Sequence, residues 1–247
     1  TFPRENYEIL VIDDGSTETS THDALKSIDN PLVRIYWNEN KGVSAARNFG
    51  FEKAKSDLIL TIDSDDYFES TFLEKALKII EESKSIGAVS CWAQCFDKSS
   101  ELMKFKEANL YDFLIKNRAV NAALIRKSAW EKSGGYDETL LEGLEDWDFW
   151  IRLKKNGFEI KIISEPLFYY RIKKVSRNQN AIEKHERLYR EILLRHKDVF
   201  FDTYPDSILY FKNNFEKILS NYLFSKTYKV GALVLAPFIF LKKKISN

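Results

Sequence analysis

Little in this chain could build a disulfide framework or a soft-metal site. The 247 residues include two cysteines, Cys91 and Cys95, and three scattered histidines, His22, His185 and His196. On one strand a spacing of four puts both thiols on the same face, yet too far apart to bridge. Both are therefore expected as reduced core residues, which fits a reducing compartment. No Cys/His spacing matches a zinc cluster. An excess of either charge is also lacking: Lys+Arg number 38 and Asp+Glu 37, for a net +1. That balance argues against a nucleic-acid binder driven by bulk positive charge. Glycine is sparse, at nine residues, and no Gly-rich triphosphate loop stands near the start, which weakens a reading as an enzyme of sugar-nucleotide synthesis. Long apolar runs are missing as well. The strongest, Val230 to Leu241, would span roughly 18 Å as a helix against a hydrocarbon core of roughly 30 Å, and Pro237 interrupts it. With Lys242, Lys243 and Lys244 behind it, the segment 228–244 reads as an interfacial membrane contact, or else as a helix packed on its own domain. The opening residues Thr1 to Tyr7 read as a linker into a strand, not as a secretory leader.

What is present is an alternation of strand and helix patterns. Strands are expected at Glu8 to Ile12, Val33 to Trp37, Leu58 to Ile62 and Ala88 to Phe96. Helices are expected at Thr21 to Ile28, Val43 to Lys53 and Ser70 to Lys84, the last with Phe72, Leu73, Ala76, Leu77 and Ile80 on one face. Such alternation implies a mostly parallel sheet covered on both faces, with ligands beyond the carboxyl ends of the strands. The second half is more mixed. It offers a strand at Asn121 to Ile125, helices at Lys127 to Lys132 and Glu145 to Lys155, and short strands at Ile160 to Ile163 and Leu167 to Arg171. From about Asn180 the pattern is helical.

Two acidic clusters fall at expected strand ends. Asp63-Ser64-Asp65-Asp66 crowds three carboxylates, and a divalent ion such as Mg²⁺ or Mn²⁺, which prefers oxygen, would relieve their repulsion. A solvated turn capping the next helix is the plainer reading. Asp13-Asp14-Gly15-Ser16 is either a common turn or a carboxylate pair facing a base or ribose. Lys41-Gly42-Val43-Ser44-Ala45-Ala46-Arg47 combines small residues at a helix start with two cations suited to phosphate. Glu145-Asp146-Trp147-Asp148 puts acids at a helix N-terminus, where the dipole alone favours them. The sharper reading is a general base. The stripe of Trp147, Trp150 and Ile151 faces the core or, for the tryptophans, stacks on a sugar.

Taken in order, D-D-G-S-T at 13–17, N-K-G-V-S-A-A-R-N at 40–48, D-S-D-D at 63–66, G-G-Y-D-E at 134–138 and E-D-W-D-F-W at 145–150 resemble the inverting glycosyltransferases of family 2. The resemblance implies a GT-A fold, a Rossmann-like mixed α/β sheet flanked by helices, over residues 1–178, with a C-terminal helical extension over 179–247. It implies Asp14, with Asp13, at the nucleotide base. Arg47 and Lys41 would lie in the donor pocket, Asp63 at the ribose or donor, and Asp65 with Asp63 at the metal. Asp146 would be the catalytic base with Glu145 beside it, and Gly134, Gly135 and Trp147 would lie on the acceptor side. A UDP-sugar donor, Mg²⁺ or Mn²⁺, and a glycan or lipid-linked acceptor in surface-polysaccharide assembly are the implied partners, at the inner face of the plasma membrane. The family's first strand and helix have no counterpart here and are expected to be missing. A histidine common after the strand near Tyr170 is replaced by Lys173 and Lys174, either a diphosphate contact or a surface basic cluster. A non-catalytic module that binds glycan or a partner is the competing expectation.

Overall fold

The computed structural model describes residues 3–173, 185–202 and 204–223. Two compact units divide the chain, Thr1–Arg195 and His196–Asn247. The first opens with a short 3-10 turn, Arg4–Asn6, and continues β1 (Ile9–Asp14), α1 (Thr19–Lys26), β2 (Val33–Asn38), α2 (Val43–Lys53), β3 (Leu58–Thr61), β4 (Tyr67–Phe68), α3 (Phe72–Ile80), β5 (Ile86–Asp97), β6 (Leu102–Met103), α4 (Leu110–Ile115), β7 (Ala123–Arg126), α5 (Lys127–Lys132), α6 (Glu145–Lys155), β8 (Glu159–Ile172) and α7 (His185–Arg195). The second unit holds α8 (Lys197–Asp202) and α9 (Tyr204–Leu223), as the helical pattern implied. The apolar run at 230–241 lies outside the described residues. Among those described, no helix is long and apolar enough to cross a membrane.

The sheet is mixed, as the family resemblance implied, and not mostly parallel as the alternation of elements alone suggested. β1 and β2 form a parallel pair of their own. The larger sheet runs β3-β7-β5-β8-β4, with β6 alongside β5. β5 and β8 are parallel, but β7 lies antiparallel between β3 and β5, and β4 is antiparallel to β8. The two short strands expected around residue 165 are one long strand, β8. Its register to β5 slips between Cys91 and Ala93, where Pro166 lies opposite Trp92. A bulge there absorbs a residue that cannot donate to the ladder.

The apolar face of α3 packs on this sheet. Phe72, Ala76 and Ile80 bury against Ile86, Val89, Cys91, Leu124 and Phe168. Cys91 and Cys95 are free and buried, and burial pushes the Cys91 thiol up to about 12, so the pair is inert packing, as expected.

The helix α2 determines where the acids meet. The Asp14 carboxylate, at the end of β1, accepts the Lys41 and Gly42 amides at 2.9 and 3.0 Å. At the other end of the helix, the Lys55 amide donates to Glu8, just before β1, at 2.8 Å. The helix therefore runs antiparallel to β1, and its first turn stands over that strand's carboxyl end. Gly42, the N-cap, offers no side chain to the orphan amides there, and Asp14 supplies one from another element. Gly15 makes the turn possible. It has φ +75°, and a Cβ there would sit 2.5 Å from Asn40 N. Gly15→Ala is expected to cost at least about 2 kcal/mol, read as a lower denaturant midpoint.

Candidate active site

Arg47 sits at the start of the second turn of α2 and joins the two halves of the site. One Nη donates to Asp63, just beyond β3, at 2.8 Å, and the other to Glu145, at the start of α6, at 2.8 Å. Its guanidinium lies 5.5 Å from the centre of the Tyr136 ring. With its amide oriented to satisfy both neighbours, Asn121 accepts from Arg47 Nε and Nη2 at 3.1 Å and bonds the Tyr136 hydroxyl at 2.9 Å. Burial opposes the charge on Arg47, but Asp63, Tyr136 and Glu145 outweigh it and hold the guanidinium protonated.

Gly134 and Gly135 form the turn that delivers Tyr136 to this position. Both have positive φ. Asn48 clamps the turn: its side-chain oxygen accepts the Tyr136 amide at 2.7 Å, and its nitrogen donates to the Tyr136 carbonyl at 2.8 Å. A Cβ on Gly135 would approach Asn48 Oδ1 to 2.8 Å. The two glycines thus act through Tyr136, and they also line an open pocket of about 320 Å³ with Asn48, Glu52, Trp130 and Glu131.

The α6 N-terminus carries the pair Glu145 and Asp146. Leu144, the residue before it, is left-handed at φ 66°, a conformation costly for a leucine. Glu145 points inward and is 5% exposed, matched by Arg47. Asp146 is half-buried. Its Oδ1 accepts its neighbour's amide, Trp147 N, at 2.7 Å and its Oδ2 accepts Asn117 Nδ2 at 3.0 Å. Burial, then the Glu145 charge, push its carboxyl up to about 6, against the pull of Arg47, the Trp147 amide and Asn117. A carboxylate with that proton affinity, partly open to solvent, suits a general base near neutral pH.

Trp147 is 3% exposed. Its ring stacks on Tyr189 of α7, and its indole N–H donates to the Phe113 carbonyl. Of the two readings of the tryptophan stripe, packing in the core describes Trp147 here, with Asp146 next to it in the chain. The ion pairs of Arg195 with Asp137 and Arg187 with Glu142 dock α7 on the same side.

The cluster at 63–66 closes the other side. Antiparallel pairing of Tyr67 with Tyr169 lays these acids along the end of β8. There Asp66 accepts the Arg171 amide at 2.8 Å, and Lys173 Nζ lies 2.7 Å from Asp65. Burial pushes the Asp66 carboxyl up to about 6, with the Arg171 amide opposing and Asp65 and Asp63 reinforcing. All donors here are carboxylate oxygens, the chemistry Mg²⁺ and Mn²⁺ select. Among the described residues no group of three or more His, Cys, Asp or Glu is arranged to hold a metal. An ion held here would have one or two carboxylates to bind and would need the rest of its shell from another source.

Arg47, Asp63, Glu145 and Asp146 are thus gathered, with Asp65 on the same strand end as Asp63. Asp14 is engaged at the α2 amides, Asp13 is buried and accepts the Ser16 amide at 3.2 Å, and the Lys41 side chain is exposed. Asn117 and Asn121 escape a reading of the sequence, for loop asparagines carry no local signal of their distant partners. Tyr136 lies inside the G-G-Y-D-E motif, which assigns it no role.

Comparison with known proteins agrees with this architecture. Residues 2–135 match the sequence model described as Glycosyl transferase family 2. A glycosyltransferase of Methanocaldococcus jannaschii, MJ1057, of uncharacterised function, is 27% identical over 77% of this chain and 69% of its own length. TuaG of Bacillus subtilis, described as a candidate teichuronic acid biosynthesis glycosyltransferase, is 29% identical over 76% and 77%. Crystal structures of Staphylococcus aureus TarS residues 1–349 superpose with TM-scores of 0.59 with UDP-GlcNAc and 0.58 with UDP, at 19% identity. These cover 72% and 79% of this chain, which spans 53% and 64% of those structures. The family match covers more than half of the chain and the GT-A-like mixed sheet accompanies it, so the chain belongs to glycosyl transferase family 2.

Proposed function

We propose that this chain transfers a sugar from a nucleotide-diphosphate donor to an acceptor hydroxyl with inversion. The observation that carries the reading is the Arg47 bridge, which ties Asp63 at the β3 end to Glu145 at the α6 start. In this reading Asp146, next to Glu145, is the base, and the acids at the β3 end border the donor. Asp146 removes the proton from the acceptor hydroxyl, and Asn117 keeps its carboxylate aimed. The freed oxygen attacks the anomeric carbon from the face opposite the leaving group. The bond from that carbon to the diphosphate oxygen breaks, and both electrons leave with the nucleoside diphosphate. Mg²⁺ or Mn²⁺ bound at Asp65, with Asp63 beside it, would supply charge stabilisation to that leaving group. Arg47 and Asp63 border the donor, and Asp13, Asp14 and Lys41 line the β1 end where its base would rest.

A UDP-sugar is the donor we favour, in keeping with the TarS structures that hold UDP-GlcNAc and UDP. A surface-glycan acceptor is favoured by the resemblance to TuaG, and a lipid-linked form would meet a membrane through 228–244. Calorimetric titration of UDP with Mn²⁺ and then with EDTA tests the donor site. Saturable, metal-dependent binding that Asp65→Ala abolishes is the expected result. Undiminished binding of UDP·Mn²⁺ by Asp65→Ala would remove Asp65 from the metal.

A further inference from the structure

Each carboxylate at 63–66 is met by a partner from elsewhere in the chain, but the partners differ in kind. Arg47, on Asp63, is a buried, multiply bonded guanidinium, with 11% of its side chain exposed. Asp66 is met by a backbone amide. Lys173, on Asp65, is an ammonium with 51% of its side chain exposed, 2.7 Å from the carboxylate. It stands at the end of β8, where the strand register brings it onto the acids. A point charge on a flexible stem, half in water, is readily given up.

We infer that Lys173 is an exchangeable counter-cation, which holds Asp65 when no divalent ion is present and is displaced when one binds. This rests on the reading of Asp65 as the metal ligand. Two consequences follow from simple charge balance. Without an ion, Lys173 relieves the repulsion among Asp63, Asp65 and Asp66, so the turn keeps its shape. An incoming ion must compete with a tethered ammonium, so the bare site binds it weakly and the diphosphate's own oxygens are needed to hold it. The metal therefore enters with the nucleotide.

The test measures Mn²⁺ binding directly, by the loss of the free-ion paramagnetic resonance signal, with the whole chain and no sugar donor. An exposed pair shifts an equilibrium by up to about fivefold. Lys173→Met is expected to bind Mn²⁺ up to that much more tightly than the wild type, Lys173→Arg to bind as the wild type does, and Asp65→Asn to erase the gain. Equal or weaker Mn²⁺ binding by Lys173→Met, with UDP·Mn²⁺ binding intact, would overturn the exchange and leave the donor site standing. UDP binding that ignores Mn²⁺ but is lost in Lys173→Met would overturn it too, making the lysine a permanent substitute for the ion. Failure of every chain to bind Mn²⁺ or UDP would instead remove the donor site, and the exchange with it.

Discussion

Asp146→Asn is expected to lower kcat by about 10³, within the usual range for removing a positioned general base, while UDP affinity changes less than about twofold. The asymmetry follows from geometry. Asp146 is held by Asn117 and the Trp147 amide, not by the Arg47 bridge to the donor-side acid, so its loss removes proton transfer and spares binding. Asp146 accepts two hydrogen bonds and an asparagine has one oxygen to accept with, so the variant keeps one of the two donors and sets its own N–H against the other, a local cost that the melts will show. A second, pH-dependent effect opposes it. The Asp146 carboxyl is raised from 3.8 to about 6, so the folded chain holds that proton more tightly than the unfolded one. Its ionisation costs stability progressively from about pH 4 to pH 6 and fully above, and the amide escapes that cost. The same value sets the wild-type pH profile, in which kcat/KM should fall about tenfold per unit below pH 6. Steady-state kinetics from pH 5 to 8, paired with thermal melts, read both effects. A substitution that leaves kcat intact would remove Asp146 from the proton-transfer step.

Arg47→Ala is expected to lose donor binding and a large share of stability together. It takes the Arg47 ion pair from Glu145, which is 5% exposed, and removes the guanidinium from Asn121 and the Tyr136 ring. Breaking a buried ion pair from one side costs about 3–5 kcal/mol, enough to lower the melting temperature of a domain this size by about 10 °C or more. Arg47→Lys should recover only part, because one ammonium cannot serve Asp63, Glu145 and Asn121 at once. The double change Arg47→Met with Glu145→Gln separates the two roles. With the buried Glu145 charge removed as well, most of the stability should return while UDP binding does not. If binding returned as well, Arg47 would be a structural strut with no part in the donor site. Calorimetry and melting curves on the three variants decide this.

Much of this site is legible in the amino-acid sequence, for a physical reason. Acids that crowd a strand end or a helix start leave a local mark, and α2 and α6 lie at 43–53 and 145–155, as their spacing implied. Elsewhere local pattern misleads. α3 ends at Ile80, not Lys84, because the chain after Glu82 turns back to start β5. β8 reads as two strands around Pro166 because a proline cannot donate to a ladder, yet the bulge opposite Trp92 keeps it continuous. The direction of β7 leaves no trace, since a two-residue period is the same whichever way a strand runs.

The sequence by itself determined the family, through the order of its motifs and the match over residues 2–135, and it put the acids at 63–66 and 145–146 at a strand end and a helix start, because turn chemistry and hydrophobic period are written in neighbouring residues. Only the tertiary structure decided which charge answers which. It put Arg47 between Asp63 and Glu145, Asn117 on Asp146 and Lys173 on Asp65, and it took Trp147 into the core. Those pairings join residues far apart in the chain, and sheet register and helix packing, not local pattern, set the distances between them.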